Sequence, residues 1–256
     1  MEREMLKDFL DEKVDLYNHP SYIDSDPIQI PHRFSSREDT EIMAFLMATI
    51  AWGNRKSIIA SGEKMLDWMG NSPHDFILNH SRKDLQSFEG LPLHRTFSGE
   101  DFAHFAGHLK RIFSAYGSLE PLLLPLQQEE NYYHALYRFR CAFLLESTHR
   151  SCKHVSSTYK NSAAKRLLMF LRWMVRRDSR GVDFGLYTTH PAHKLSLPLD
   201  VHVGNIARAL GILSRRQNDW KAVEELDLIV RTLDPKDPGK YDYALFGLGV
   251  SGDFSP

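Results

Sequence analysis

Between Ile42 and Ile50 apolar residues occupy every side of a helical wheel: Ile42, Met43, Phe45, Leu46, Met47 and Ile50 leave no polar face. A helix without a polar face must be enclosed by other helices, so this segment marks the middle of a bundle. Ser35 or Ser36 can cap its start, Glu38 and Asp39 fill its first turn, and it is expected to run from about Thr40 to Ala51. It stops at Trp52-Gly53-Asn54-Arg55, where Gly53 can adopt the left-handed conformation that ends helices. Most other periodic stretches share the helical spacing, and alternating strand-like runs are scarce, so the chain reads as all-α.

Ile58, Ile59, Met65, Leu66 and Met69 line the inner side of the next helix, and Pro73 to Thr96 reads as short helices and loops. Ser98-Gly99-Glu100-Asp101 resembles a capping box before Phe102 to Tyr116, and a further helix is expected over Asn131 to Leu145. From Ser162 to Arg177 the pattern is two-faced. Leu167, Leu168, Leu171, Met174 and Val175 form the inner stripe, and Lys165, Met169, Arg172 and Arg176 an outer, cationic one. Asp178 to Leu199, with two glycines and two prolines, reads as irregular. Asp200 then starts a helix, Asn218 or Asp219 caps another, and Asp237-Pro238 opens the last. Two lobes are expected: a central bundle over 37–177 and a second lobe made by 1–36 with 178–256, separated by a cleft.

Lys plus Arg (32) nearly cancels Asp plus Glu (33), so overall charge says nothing about a polyanionic partner. Its distribution does. Met1 to Ile30 holds eight acids and three bases, whereas Arg138 to Arg180 holds eleven bases and two acids. Two cysteines, Cys141 and Cys152, exclude a disulfide framework, a four-cysteine zinc site and a four-cysteine iron–sulfur cluster, and they fit a reducing cytoplasm. No apolar run reaches bilayer length, and the acidic N-terminus is unlike a signal peptide. A cytoplasmic monomer with no cofactor and no membrane partner is expected.

Excising a base from DNA requires a nucleophile at the sugar C1′ and a carboxylate that stabilises positive charge on the deoxyribose. Cationic neighbours favour the free amine of a lysine, and backbone N–H groups at a helix N-terminus favour a carboxylate. Lys165 has Arg166 beside it, and Asp200 stands at a helix start. The run Leu197-Pro198-Leu199-Asp200-Val201-His202-Val203 resembles the helix start that carries the catalytic aspartate of helix-hairpin-helix, endonuclease III-like DNA glycosylases. Ala163-Ala164-Lys165-Arg166 resembles the site of the lysine in their bifunctional members. The resemblance implies an N-glycosylase with AP lyase activity acting on double-stranded DNA, with Lys165 and Asp200 catalytic. It further implies a loop at Trp52, Asn54 and Arg55 that enters the base stack, and phosphate contacts from Lys160, Arg166, Arg172 and Arg176.

The chain also resembles, over nearly its whole length, a bacterial family of unknown function marked by the segments at Ala51 to Lys56, Leu171 to Arg176 and Tyr241 to Val250. It departs from the glycosylase pattern in three ways. Thr158 to Ala164 has no glycine, Asp178 to Leu199 reads as an insertion able to fold over the pocket, and no cluster cysteines lie near Gly249 to Asp253. Two other readings stand beside the enzyme: a noncatalytic nucleic-acid binder of the same fold, and a metal-dependent hydrolase using His190, His193 and His202 with Asp200.

Overall fold

The computed structural model describes residues 2–252, in which helices dominate. In chain order they are α1 (Arg3–Tyr17), α2 (Arg37–Ile50), α3 (Arg55–Trp68), α4 (Pro73–Asn79), α5 (Arg82–Gln86), α6 (Gly99–Tyr116), α7 (Glu120–Leu123), α8 (Tyr133–Leu144), α9 (Lys165–Val175), α10 (Val201–Ala209), α11 (Trp220–Leu233) and α12 (Tyr241–Ser251). Among the described residues the one sheet is a hairpin of β1 (Pro92–His94) and β2 (Phe97–Ser98). Residue 1 and residues 253–256, which the expected second lobe includes, lie outside the described residues.

The chain divides into two compact units. A terminal unit comprises Met1–Tyr22, Pro125–Leu136 and Ser157–Pro256, and an α2 unit comprises Ile23–Leu124 and Tyr137–Ser156. Helix α9 therefore groups with the C-terminal helices, whereas the sequence pattern puts it in the 37–177 bundle.

In the α2 unit, α2 is buried from Thr40 to Ile50, as a helix apolar on all sides requires. Ser36 caps it, accepting from Asp39 N. The Phe45 ring meets Phe105, Phe139 and Phe143 at centroid separations of 6.1, 5.7 and 5.2 Å. Glu41 is the buried exception in this apolar helix: its Oε1 accepts from Leu119 N and Ser118 Oγ, both at 2.8 Å. That carboxylate ties α2 to the turn before α7.

In the terminal unit, α1 lies on α12. The Tyr17 ring covers Gly247, where a Cβ would come within 2.2 Å of ring carbons, so only glycine allows the two helices to approach this closely. Leu6, Leu10 and Val14 turn the inner face of α1 into the core.

Helix α9 carries two buried cations, Arg172 and Arg176, each 3% exposed. Arg172 bonds Asp183 and Asp242, while Arg176 bonds Asp178, Asp183 and Asp237. The Tyr243 ring lies 4.3 Å from the Arg172 guanidinium and 5.4 Å from that of Arg176, close enough for cation–π attraction to both. Burial by itself would lower the Arg172 pKa, but Tyr243, Asp183 and Asp242 raise it well above the ordinary value.

The stretch 178–199 is no external flap. Asp183, Tyr187 and His190 are buried, as is the run Leu195 to Leu199. Phe184 N and Gly185 N donate to the carbonyl of Trp173, and Tyr187 N donates to that of Met174. These amides satisfy carbonyls that the last turn of α9 would otherwise leave open.

Replacing Arg172 by Met should strand Asp242 in the interior without its main counter-charge. The expected loss is about 3–5 kcal/mol, the usual consequence of breaking a buried pair from one side. Urea unfolding followed by circular dichroism checks this, and a wild-type midpoint for the variant would mean the cluster contributes nothing to stability.

Candidate active site

Within the terminal unit two helix N-termini meet at Lys165 and Asp200. Lys165 is the first residue of α9. Asp200 precedes α10 in extended conformation, and its Oδ1 accepts from Val203 N at 3.0 Å, which makes it the expected N-cap. Its backbone is held as well: Asn218 Nδ2 donates to the Asp200 carbonyl at 2.8 Å. Asn218 reaches there across Gly204, where a Cβ would come within 2.7 Å of the Asn218 amide and the Arg208 guanidinium. A glycine one turn into α10 is thus a condition for fixing Asp200.

The Lys165 amine stands 3.9 Å from Asp200 Oδ2, inside ion-pair range and too far for a hydrogen bond. Their side chains are 27% and 21% exposed, so both can be reached from solvent. Asp242 of α12, buried and bonded by Arg172, is electrically coupled to the pair. Burial pushes the Asp242 carboxyl up to about 6; Arg172 opposes the rise, the Asp200 charge adds to it, and Lys165 counters it. The sequence reading missed Asp242. Its one signal there is an acid between Tyr241 and Tyr243 at the start of an otherwise apolar helix.

The hairpin before α9 forms without glycine. After a 3-10 turn over Thr158–Lys160, Asn161 (φ 58°) and Ala164 (φ 47°) take the left-handed conformation. That conformation costs a residue with a Cβ roughly 1–2 kcal/mol, so the turn must be held by its surroundings. Asn161 Nδ2 donates to Asp219 Oδ2 at 2.9 Å, and Trp220 N donates to the Asn161 carbonyl at 3.2 Å. The start of α11 is what grips the hairpin.

The remaining candidates separate clearly. Lys160 is exposed in the hairpin. Arg166 is half-buried, and burial lowers its pKa to about 10. Arg172 and Arg176 do not fit the expected phosphate contacts, because both guanidiniums are buried and committed to aspartates.

In the α2 unit, the Trp52 ring stacks on His154 (5.6 Å, 20°) with His94 at its edge, and its carbonyl accepts from His94 Nε2 at 2.9 Å. Arg55 is half-buried. Asn54 caps α3, accepting from Ser57 N, and is the exposed polar side chain of that loop. The metal alternative is not supported. His190 is buried against Tyr132 and Tyr187, His193 is exposed, and His202 Nδ1 donates to the Gly249 carbonyl at 2.9 Å. Among the described residues no group of three His, Cys, Asp or Glu side chains can hold a metal ion. Among them, too, no helix is long and apolar enough to cross a membrane.

The chain belongs to the family described as "Protein of unknown function (DUF2400)", whose model matches residues 26–251. No curated protein and no solved structure matches it.

Coupling between Asp242 and the exposed pair has a directional consequence. Removing the negative neighbour with Asp200→Asn should lower the Asp242 midpoint from about 6, and removing the positive one with Lys165→Met should raise it. Carboxyl carbon NMR titration of Asp242 reads both shifts. Equal midpoints in the three proteins would show that the groups do not sense one another.

Proposed function

We propose that the chain excises a damaged base from DNA and forms a Schiff base with the sugar, as a bifunctional N-glycosylase and AP lyase. The observation that supports this most is the approach of the Lys165 amine to an N-capping carboxylate at Asp200, in a solvent-reachable position. The lysine opens one helix and the aspartate the next, the order that the resemblance to helix-hairpin-helix glycosylases implies.

In this reading Lys165 Nζ, as the free amine, bonds to C1′ as the C1′–N bond to the base breaks, and the base leaves with the bonding electrons and takes up one of the protons of Nζ. Asp200 faces the positive charge that develops on the sugar, and its negative charge lowers the energy of that state. Loss of a proton from nitrogen and opening of the sugar ring give the imine. Removal of a C2′ proton then expels the 3′ phosphate. Since an N-cap hydrogen bond and Asn218 already orient Asp200, little reorganisation accompanies the reaction. Grip on the strand falls to the exposed Lys160, because Arg172 and Arg176 serve the interior.

Borohydride trapping against duplexes that each carry one damaged base or an abasic site tests this directly. Wild-type protein should yield a covalent adduct on at least one duplex, and Lys165→Ala should yield none. Asp200→Asn, which preserves the helix cap, should bind the same duplex while base release falls by orders of magnitude. Adduct formation by Lys165→Ala, or neither adduct nor base release from any duplex with the wild type, would end the lyase reading.

A further inference from the structure

Six residues before Lys165, the same hairpin presents an aromatic stack at the surface. Tyr159 is 51% exposed, and its ring lies on that of Tyr133, the first residue of α8, at 5.2 Å and 22°. Tyr133 in turn meets Trp220, which is buried at the start of α11, at 5.1 Å. Three rings thus run from the core to solvent. The outermost is fixed in place, because the Tyr159 hydroxyl shares a 2.7 Å hydrogen bond with His134 Nδ1, while Thr158 Oγ1 donates to the Tyr133 carbonyl at 2.8 Å. A tyrosine so exposed would be free to choose rotamers. Here stacking and the histidine hold it, so an arriving planar group would meet a preorganised surface.

Charge narrows what that group can be. Lys160 adjoins Tyr159 and Lys221 adjoins Trp220, and both lysines are exposed. Of the nearby acids, Asp219 is paired with Arg215 and also accepts from Asn161, whereas Glu224 accepts from the neutral Trp220 indole and keeps its charge. An exposed aromatic ring with an exposed lysine next to it in the chain suits a polyanion that carries planar rings, which describes a nucleic-acid strand with unpaired bases.

We infer that Tyr159, backed by Tyr133 and Trp220, is a stacking platform for an unpaired base of the DNA strand engaged at Lys165. The inference rests on the nucleic-acid reading above and adds a second contact to it, one that holds the strand beside the reacting sugar through a base face.

Binding of a labelled single-stranded oligothymidylate, and of one carrying the fluorescent adenine analogue 2-aminopurine, tests the platform. Tyr159→Ala should weaken binding roughly 5- to 100-fold with an unchanged salt dependence, since stacking and not a phosphate contact is lost. Tyr159→Phe should keep both affinity and 2-aminopurine quenching. Tyr159→Leu, which preserves apolar cover over Tyr133, should lose the quenching. Lys160→Ala should instead flatten the log–log salt slope by about 0.7, the value of one phosphate contact on a single strand. A wild type that binds while Tyr159→Ala and Tyr159→Leu match it in affinity and quenching overturns the platform alone. A wild type that binds neither strand at low salt overturns the platform, and the nucleic-acid reading falls with it only if the damaged duplexes are not bound either.

Discussion

The terminal unit depends on Arg172. One guanidinium, buried at the centre of α9, joins Asp183 from the irregular stretch and Asp242 from α12, with the Tyr243 ring beside it. Removing a cation from water costs several kcal/mol, and that cost is met only where anions and donors surround it closely. Every segment that supplies one is thereby fixed relative to α9. Asp183 is brought to Arg172 where the chain turns back along α9, with Phe184 N and Gly185 N on the Trp173 carbonyl.

The same cluster shapes the electrostatics at the surface above it. Asp242 couples to Lys165 and Asp200, so the half-buried pair is linked to a buried acid whose own charge is held by Arg172. Charge at the site is consequently a property of several helices. Position is equally shared: Asp200 is oriented by its cap to Val203 N, by Asn218 across Gly204, and by the seat of α10 against α12.

How much of this was legible in the sequence follows from the range of each interaction. The caps at Ser36, Asp200 and Asp219 act within three residues, and local pattern revealed Asp200 outright and narrowed the other two to Ser35 or Ser36 and Asn218 or Asp219. The burial of α2 from Thr40 to Ile50 was equally plain, since nothing but enclosure suits its composition. The outer stripe of α9 misled, because charge was equated with contact to water while the neutralising acids lie as many as 70 residues away. Hairpin geometry was hidden for a different reason. Alanine seldom adopts positive φ, so no rule based on residue type would assign a left-handed turn to Ala164. The Lys165–Asp200 approach was legible only through resemblance, and the Tyr133–Tyr159–Trp220 stack joins three segments that carry no common local signal.

The pairing of α1 with α12 bears on how the chain comes to be folded at all. During synthesis α1 precedes α12, and the helix that covers Leu6, Leu10 and Val14 follows more than two hundred residues later. At translation rates of about 5–20 residues per second, the interval is on the order of ten to fifty seconds. The α2 unit has all its segments out of the ribosome by Ser156 and can close during that time, whereas the terminal unit cannot. Through this delay an amphipathic helix with an uncovered apolar face waits on the nascent chain, a ready target for chaperones and a hazard on crowded polysomes.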